Sequence, residues 1–145
     1  MVFTLLIIRI VSQRSRMRVF LIPGLLIFPW LYFYAATRSL TLVYAGMFLA
    51  VMVYNGLHSF WGNYLPRMYP TRLRGTGESF AANIGGRVIG VSAALVTTNL
   101  ANLNLAGSGY TRLAYSAGVV SMSVLVLALI VSAFLPEPEG SQIPD

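Results

Sequence analysis

The sequence predicts an all-α integral membrane protein: a polytopic bundle of four full transmembrane helices preceded by part of another. Three observations carry this reading. Of 145 residues, 57% are hydrophobic and 10% charged, against about one-quarter charged in ordinary soluble domains, so the chain lacks the polar residues to cover a water-facing surface. The apolar residues fall in runs long enough to cross a hydrocarbon core of about 30 Å, which takes about 20 helical residues. Most of the ten arginines, which are the chain's only Lys/Arg residues, lie between those runs.

Val2–Val11 is apolar but interrupted by Arg9, and at about half the length of a span it reads as part of a helix. Met1 is followed by VFTLLII without the basic stretch that opens a secretory signal, so this segment is not read as one. Gln13–Arg18 is a basic loop. Val19–Ala36 forms the first full span, with kinks predicted at Pro23 and Pro29. Thr37-Arg38-Ser39 is so short that the next span, Leu40–Gly62, runs antiparallel to the first. Asn63–Thr76 is a second basic loop whose Pro66 and Pro70 discourage helix. Gly77–Ala101 is the third span, Asn102–Thr111 a polar connection and Leu113–Leu135 the fourth span. Residues 1–135 thus make up the transmembrane region, and the Pro-Glu-rich stretch 136–145 a tail.

Arg14, Arg16, Arg18, Arg67, Arg72 and Arg74 flank span ends on one side, against Arg38 and Arg112 on the other. The positive-inside rule assigns the first set, and with it the C-terminus, to the cytoplasm of a multi-pass protein of the plasma or inner membrane. Trp30, Tyr32 and Tyr34, and Trp61 and Tyr64, fall toward span ends at interfacial depth. The net charge of +6 is spread between apolar runs rather than over a solvated face, which argues against nucleic-acid binding. With no Cys, one His and one Glu before the tail, the chain offers no catalytic triad, carboxylate pair or metal site, and the reading is of a non-enzyme without cofactors.

The candidate functional residues cluster at the third span. Asn83 and Arg87 are four apart and share a helix face. Arg87 stands about 15 Å into its span at about 1.5 Å per residue, where a charge must face protein or water. The pair suits a polar or anionic solute; the competing reading has Arg87 snorkelling to the interface or pairing with a carboxylate. Ala82, Gly86, Gly90 and Ala94 form a small-xxx-small stripe that lets helix backbones approach closely. His58, four residues after Tyr54, is a candidate for proton coupling because imidazole titrates near neutral pH; the plainer role is a helix-face hydrogen bond to Tyr54. Arg72, Arg74, Gly75 and Glu78 read as a cytoplasmic gating loop, with Glu78 favoured by the helix dipole and the nearby arginines.

Residues 69–87, YPTRLRGTGESFAANIGGR, resemble the loop between the tenth and eleventh helices of major facilitator superfamily transporters, where patterns such as FPTRxRGTG followed by NxGR recur. The stretch LPEPEG at 135–140 resembles the ending of that family's final helix, and Ile10–Val19 falls where the family repeats its basic loop between the eighth and ninth helices. Three positions depart: Gln13 stands where that loop usually has Asp, Arg16 where it has Gly, and Arg67 where many members have Glu. The resemblance implies a fragment running from the end of helix eight through helix twelve of a secondary transporter for a small organic solute. A proton-coupled symport mechanism would draw on His58. The family has two six-helix halves around a central substrate site, so the implied partners are the bilayer, the solute and a missing N-terminal half. The alternative is a stand-alone small membrane protein acting as an oligomeric or accessory subunit.

Overall fold

The computed structural model describes residues 12–103 and 107–136; the expected partial span Val2–Val11 and the tail beyond Pro136 lie outside the described residues. Every regular element among them is helical. Helix α1 runs Gln13–Pro29, passes through a π-helical turn at Trp30–Ala35 and ends at Ala36–Arg38. Helix α2 is Leu40–Met68. Helix α3 begins as Arg74–Phe80, widens into a π-helical turn at Ala81–Gly85 and continues as Gly86–Asn102. Helix α4 is Gly109–Ser132. All four are long and apolar enough to cross a membrane, and large side chains such as Leu26, Phe48, Phe80 and Val91 stand exposed along them, a surface suited to lipid rather than water.

The helices extend past the expected spans into the basic segments. Helix α1 starts at Gln13 rather than Val19, capped by the Ser12 hydroxyl, which accepts from the Ser15 amide. Helix α2 runs through Pro66 to Met68, so the second basic loop contracts to the few residues around Pro70. Arginine is a good helix former, and hydropathy marks where a helix leaves the hydrocarbon, not where it ends. Pro66 lies near the end of α2, where water can satisfy the carbonyl left without a donor. The expected disturbance at Pro29 takes the form of the π-helical turn that follows it, a common way for a helix to absorb a lost backbone bond.

One extended residue, Ser39, turns the chain between α1 and α2. Its hydroxyl accepts from the Leu42 amide at 3.3 Å, and the Thr37 hydroxyl donates back to the Tyr34 carbonyl at 3.0 Å. The hairpin predicted from Thr37-Arg38-Ser39 is therefore formed and capped on both sides.

The helices pack in the order α2, α1, α4, α3, and the first segment of α3 also meets α2. Seating is by large side chains over glycines. A Cβ on Gly46 of α2 would lie 2.6 Å from Leu31 Cδ1, one on Gly118 of α4 would lie 2.8 Å from the Phe33 ring, and one on Gly56 would fall against the ring of Phe20. The two glycines facing the π-helical turn of α1 give its wider backbone room.

At the Arg-rich end, Met17, Leu21, Phe60, Tyr64 and Leu125 form the main buried cluster, with the Phe60 and Tyr64 rings stacked at 5.3 Å. Tyr64 is only 4% exposed: its ring belongs to the core, and its hydroxyl donates to the Pro136 carbonyl at 3.0 Å. Arg14 Nε donates to the Leu135 carbonyl at 2.9 Å. The ends of α1 and α2 are thus tied to the carbonyls that follow α4, where the helix dipole favours a cation.

Gly56→Ala should destabilise the chain by about 1–3 kcal/mol, because Phe20 is buried and a new methyl group has nowhere to go. Gly62→Ala, which opens onto empty space, is the control. Thermal unfolding in detergent should separate the two variants.

Candidate functional site

Helix α3 differs from its neighbours: none of its most apolar 18-residue window is buried within the chain. It rests on α4 through Gly86–Asn102 and touches α2 through Arg74–Phe80. Asn83 sits in the π-helical turn of α3, and its side-chain amide donates to the Ser79 carbonyl at 2.9 Å, holding the side chain against its own helix. Arg87 follows one turn later and is exposed. In a helix of 29 residues from Arg74 to Asn102 it stands close to the middle. At about 1.5 Å per residue that puts it about 20 Å from either end of the helix.

The pair stays on one side of the helix despite the π-helical turn. Four residues advance about 400° at the α-helical pitch, and the wider π turn brings that total closer to a full circle. The small-residue stripe Ala82, Gly86, Gly90 and Ala94 is exposed, and a Cβ at Gly86 or Gly90 would meet nothing within 4 Å. Within the described residues the stripe is therefore bare, in contrast to the filled glycine seats of α2 and α4.

Between α2 and α3 lies an open cleft of about 490 Å³, floored by α1 and α4. Val53, Tyr54 and Leu57 form one wall and Ile89, Gly90 and Ala94 the other. The cleft was not legible in the sequence, because its walls come from helices with little mutual contact. The nearest sequence signal was the stripe itself, two of whose members, Gly90 and Ala94, line it.

His58 is exposed on α2, its ring 4.3 Å from the Tyr54 ring at a tilt of 41°. The two residues meet through their rings, and Tyr54 carries the contact into the cleft wall. Asn55 beside them donates to the Val51 carbonyl at 2.9 Å on its own helix.

The gating-loop residues gather where α2 gives way to α3. Arg72 and Gly75 are exposed, and the Tyr69 ring lies over Gly77, where a Cβ would come within 2.6 Å of it. Arg74 and Glu78, four apart on the first turns of α3, are partly buried. Arg74 Nε and Nη2 and Glu78 Oε1 are sheltered from solvent without a hydrogen-bond partner. A buried polar group left unpaired costs about 1–3 kcal/mol, more when charged, so these atoms are poised for partners that the described residues do not supply.

Glu78→Gln should accordingly leave the melting temperature of the isolated chain unchanged or slightly raised, since it removes a charge that has no partner. A clear fall in the detergent melting curve would mean that the carboxylate is already paired.

No protein-family model, curated protein or solved structure matches this chain.

Proposed function

We propose that this chain is the C-terminal part of a major-facilitator-type secondary transporter that moves a small organic solute across the cell membrane, with Asn83 and Arg87 on the solute-facing side. The observation that carries the reading is a polar pair near the middle of a membrane-length helix whose surface the rest of the described chain leaves open. A charge at that depth is expensive against lipid, so a cavity shared with further helices is the environment that suits it. The resemblance of residues 69–87 to the family's loop between helices ten and eleven supports the same reading. So do the unpaired atoms of Arg74 and Glu78, which suit a gate closed by charges from another half.

The Arg-rich end is the cytoplasmic one in this reading. The contacts of Arg14 with Leu135 and of Tyr64 with Pro136 put the start of α1 and the ends of α2 and α4 together. The arginines near those ends therefore lie on one side of the bilayer, as the positive-inside rule favours. His58 is the proton-coupling candidate, adjoining the cleft through Tyr54. A second reading, an accessory or oligomeric subunit, draws on the same bare α3 surface, which a partner chain would cover. The mass of the native product, read from a tag placed after Asp145, separates the two: a band near 15.9 kDa favours the subunit, and one roughly three times larger, as about twelve spans require, favours the transporter.

Two further outcomes are expected. Arg87→Ala should lower solute uptake by cells at least about ten-fold, as loss of a charge-assisted contact entails, while membrane insertion is retained; unchanged uptake would remove Arg87 from the site. Fused after Asp145, green fluorescent protein should fluoresce and alkaline phosphatase should be inactive, because both report a cytoplasmic C-terminus.

A further inference from the structure

We infer that the solute is an amphiphilic organic anion, whose apolar body lies in the cleft between α2 and α3 and whose single negative group meets Arg87. The inference rests on the transporter reading for its biological role, but the binding it describes stands on the cleft itself.

The cleft walls are apolar along their length. Ile89 to Thr97 on α3 and Ala117 to Leu125 on α4 each cover eight residue steps, about 12 Å at 1.5 Å per residue. The two agree on an apolar slot the length of a medium acyl chain or a two-ring aromatic body. A volume of about 490 Å³ falls in the range of small-molecule sites, which are mostly apolar with a few placed polar groups. The polar groups here are few. Ser121 is satisfied by its own helix, donating to the Gly118 carbonyl at 3.0 Å, and Thr97 and the tyrosines Tyr32 and Tyr54 complete the set. A sugar or a zwitterion would leave most of its hydrogen bonds unmade in such a slot, at a cost for each.

The sign of the charge follows from what stands at the cleft's edge. Arg87, Gly90, Ala94 and Thr97 are spaced i, i+3, i+7, i+10 and so share one stripe of α3; the last three line the cleft. Toward the Arg-rich end the next positions on that side of α3 are Gly86 and Arg87, neither of which lines the cleft, so Arg87 is the first charged residue beyond the cleft's end. An arginine side chain offers five N–H donors and no acceptor. Among the described residues the one carboxylate is Glu78, nine residues away along the helix, or about 13 Å. A fixed cation near the middle of a membrane-length helix, beside an apolar slot and without a counter-ion next to it among the described residues, is complementary to a carboxylate or sulfonate carrying a hydrophobic body.

The test is equilibrium binding to the purified chain in nanodiscs of zwitterionic phosphatidylcholine. The probe is 6-(dimethylamino)-2-naphthoate, a two-ring anion of the slot's length, read by its fluorescence after subtraction of empty discs, with its methyl ester as the uncharged comparator. Saturable binding of the anion is expected, at least about ten-fold tighter than the ester, the scale of one charge-assisted hydrogen bond. Arg87→Gln should weaken the anion by a similar factor and leave the ester unchanged, Arg87→Lys should retain most of the anion's affinity, and Ala94→Phe should weaken both ligands by filling the slot. Equal binding of acid and ester, or an Arg87→Gln variant of normal elution profile that binds the anion as well as the unaltered chain, would overturn the inference. Displacement by decanoate supports a soluble solute; displacement by phosphatidylglycerol alone would assign the cleft to a membrane lipid and overturn it. Arg87-dependent binding without uptake of any bound anion into proteoliposomes would sink the transporter reading and leave the binding site standing. Uptake of a hydrophilic solute without anion binding would do the reverse.

Discussion

The bundle depends on close approach between backbones at glycine. Lipid tails are as apolar as leucine, so there is little hydrophobic force to press one membrane helix on another, and association rests on packing and hydrogen bonds. Helix α1 supplies the knobs and its neighbours the seats: Phe20 over Gly56, Leu31 over Gly46 and Phe33 over Gly118. In α1, Gly24 lies between Val53 of α2 and Leu125 of α4, so both neighbours close on one point of the central helix. The π-helical turn after Pro29 falls within this arrangement, with its wider backbone against two of the seats.

Hydrogen bonds do the complementary work at the Arg-rich end. Arg14 and Tyr64 converge on the carbonyls of Leu135 and Pro136, groups that would otherwise follow the end of α4 without donors. Because Tyr64 also stacks on Phe60 in the largest buried cluster, the same side chain joins core packing to the fastening of the helix ends. At the opposite end the ties are aromatic: Phe33 meets Tyr115 at 5.7 Å, and the Arg38 guanidinium lies 5.4 Å from the Tyr34 ring, a cation–π geometry.

Against that background α3 is the odd helix. It has the same resource as α2 and α4, glycines along one stripe, but nothing sits in those seats. It carries Arg87 near the middle of its length, and a π-helical turn at the level of Asn83, a local widening that often accompanies function. The well-packed trio of α1, α2 and α4 acts as scaffold, and α3 stands off from α2 to leave a cleft. Rigid packing on one side and an open, polar-edged face on the other is the division of labour expected where a ligand or a further set of helices is to be met.

The sequence by itself determined the solvent, the number of membrane-length helices, the hairpin at Ser39 and the segregation of arginine, because each follows from composition and from residues adjacent in the chain. It also singled out Asn83 and Arg87, since a charge inside an apolar run is visible without a fold. It misjudged the helix ends at Gln13, Met68 and Arg74, where arginine and proline obscure helix that extends beyond the hydrocarbon. Only the tertiary structure decided that Tyr64 packs in the core, that Arg14 binds the carbonyl of Leu135 beyond α4, and that Gly90 and Ala94 line a cleft. Arg14 and Leu135 are 121 residues apart, and Tyr64 and Pro136 are 72 apart. No local periodicity encodes such pairings, because they depend on which faces of separate helices the glycine seats bring together.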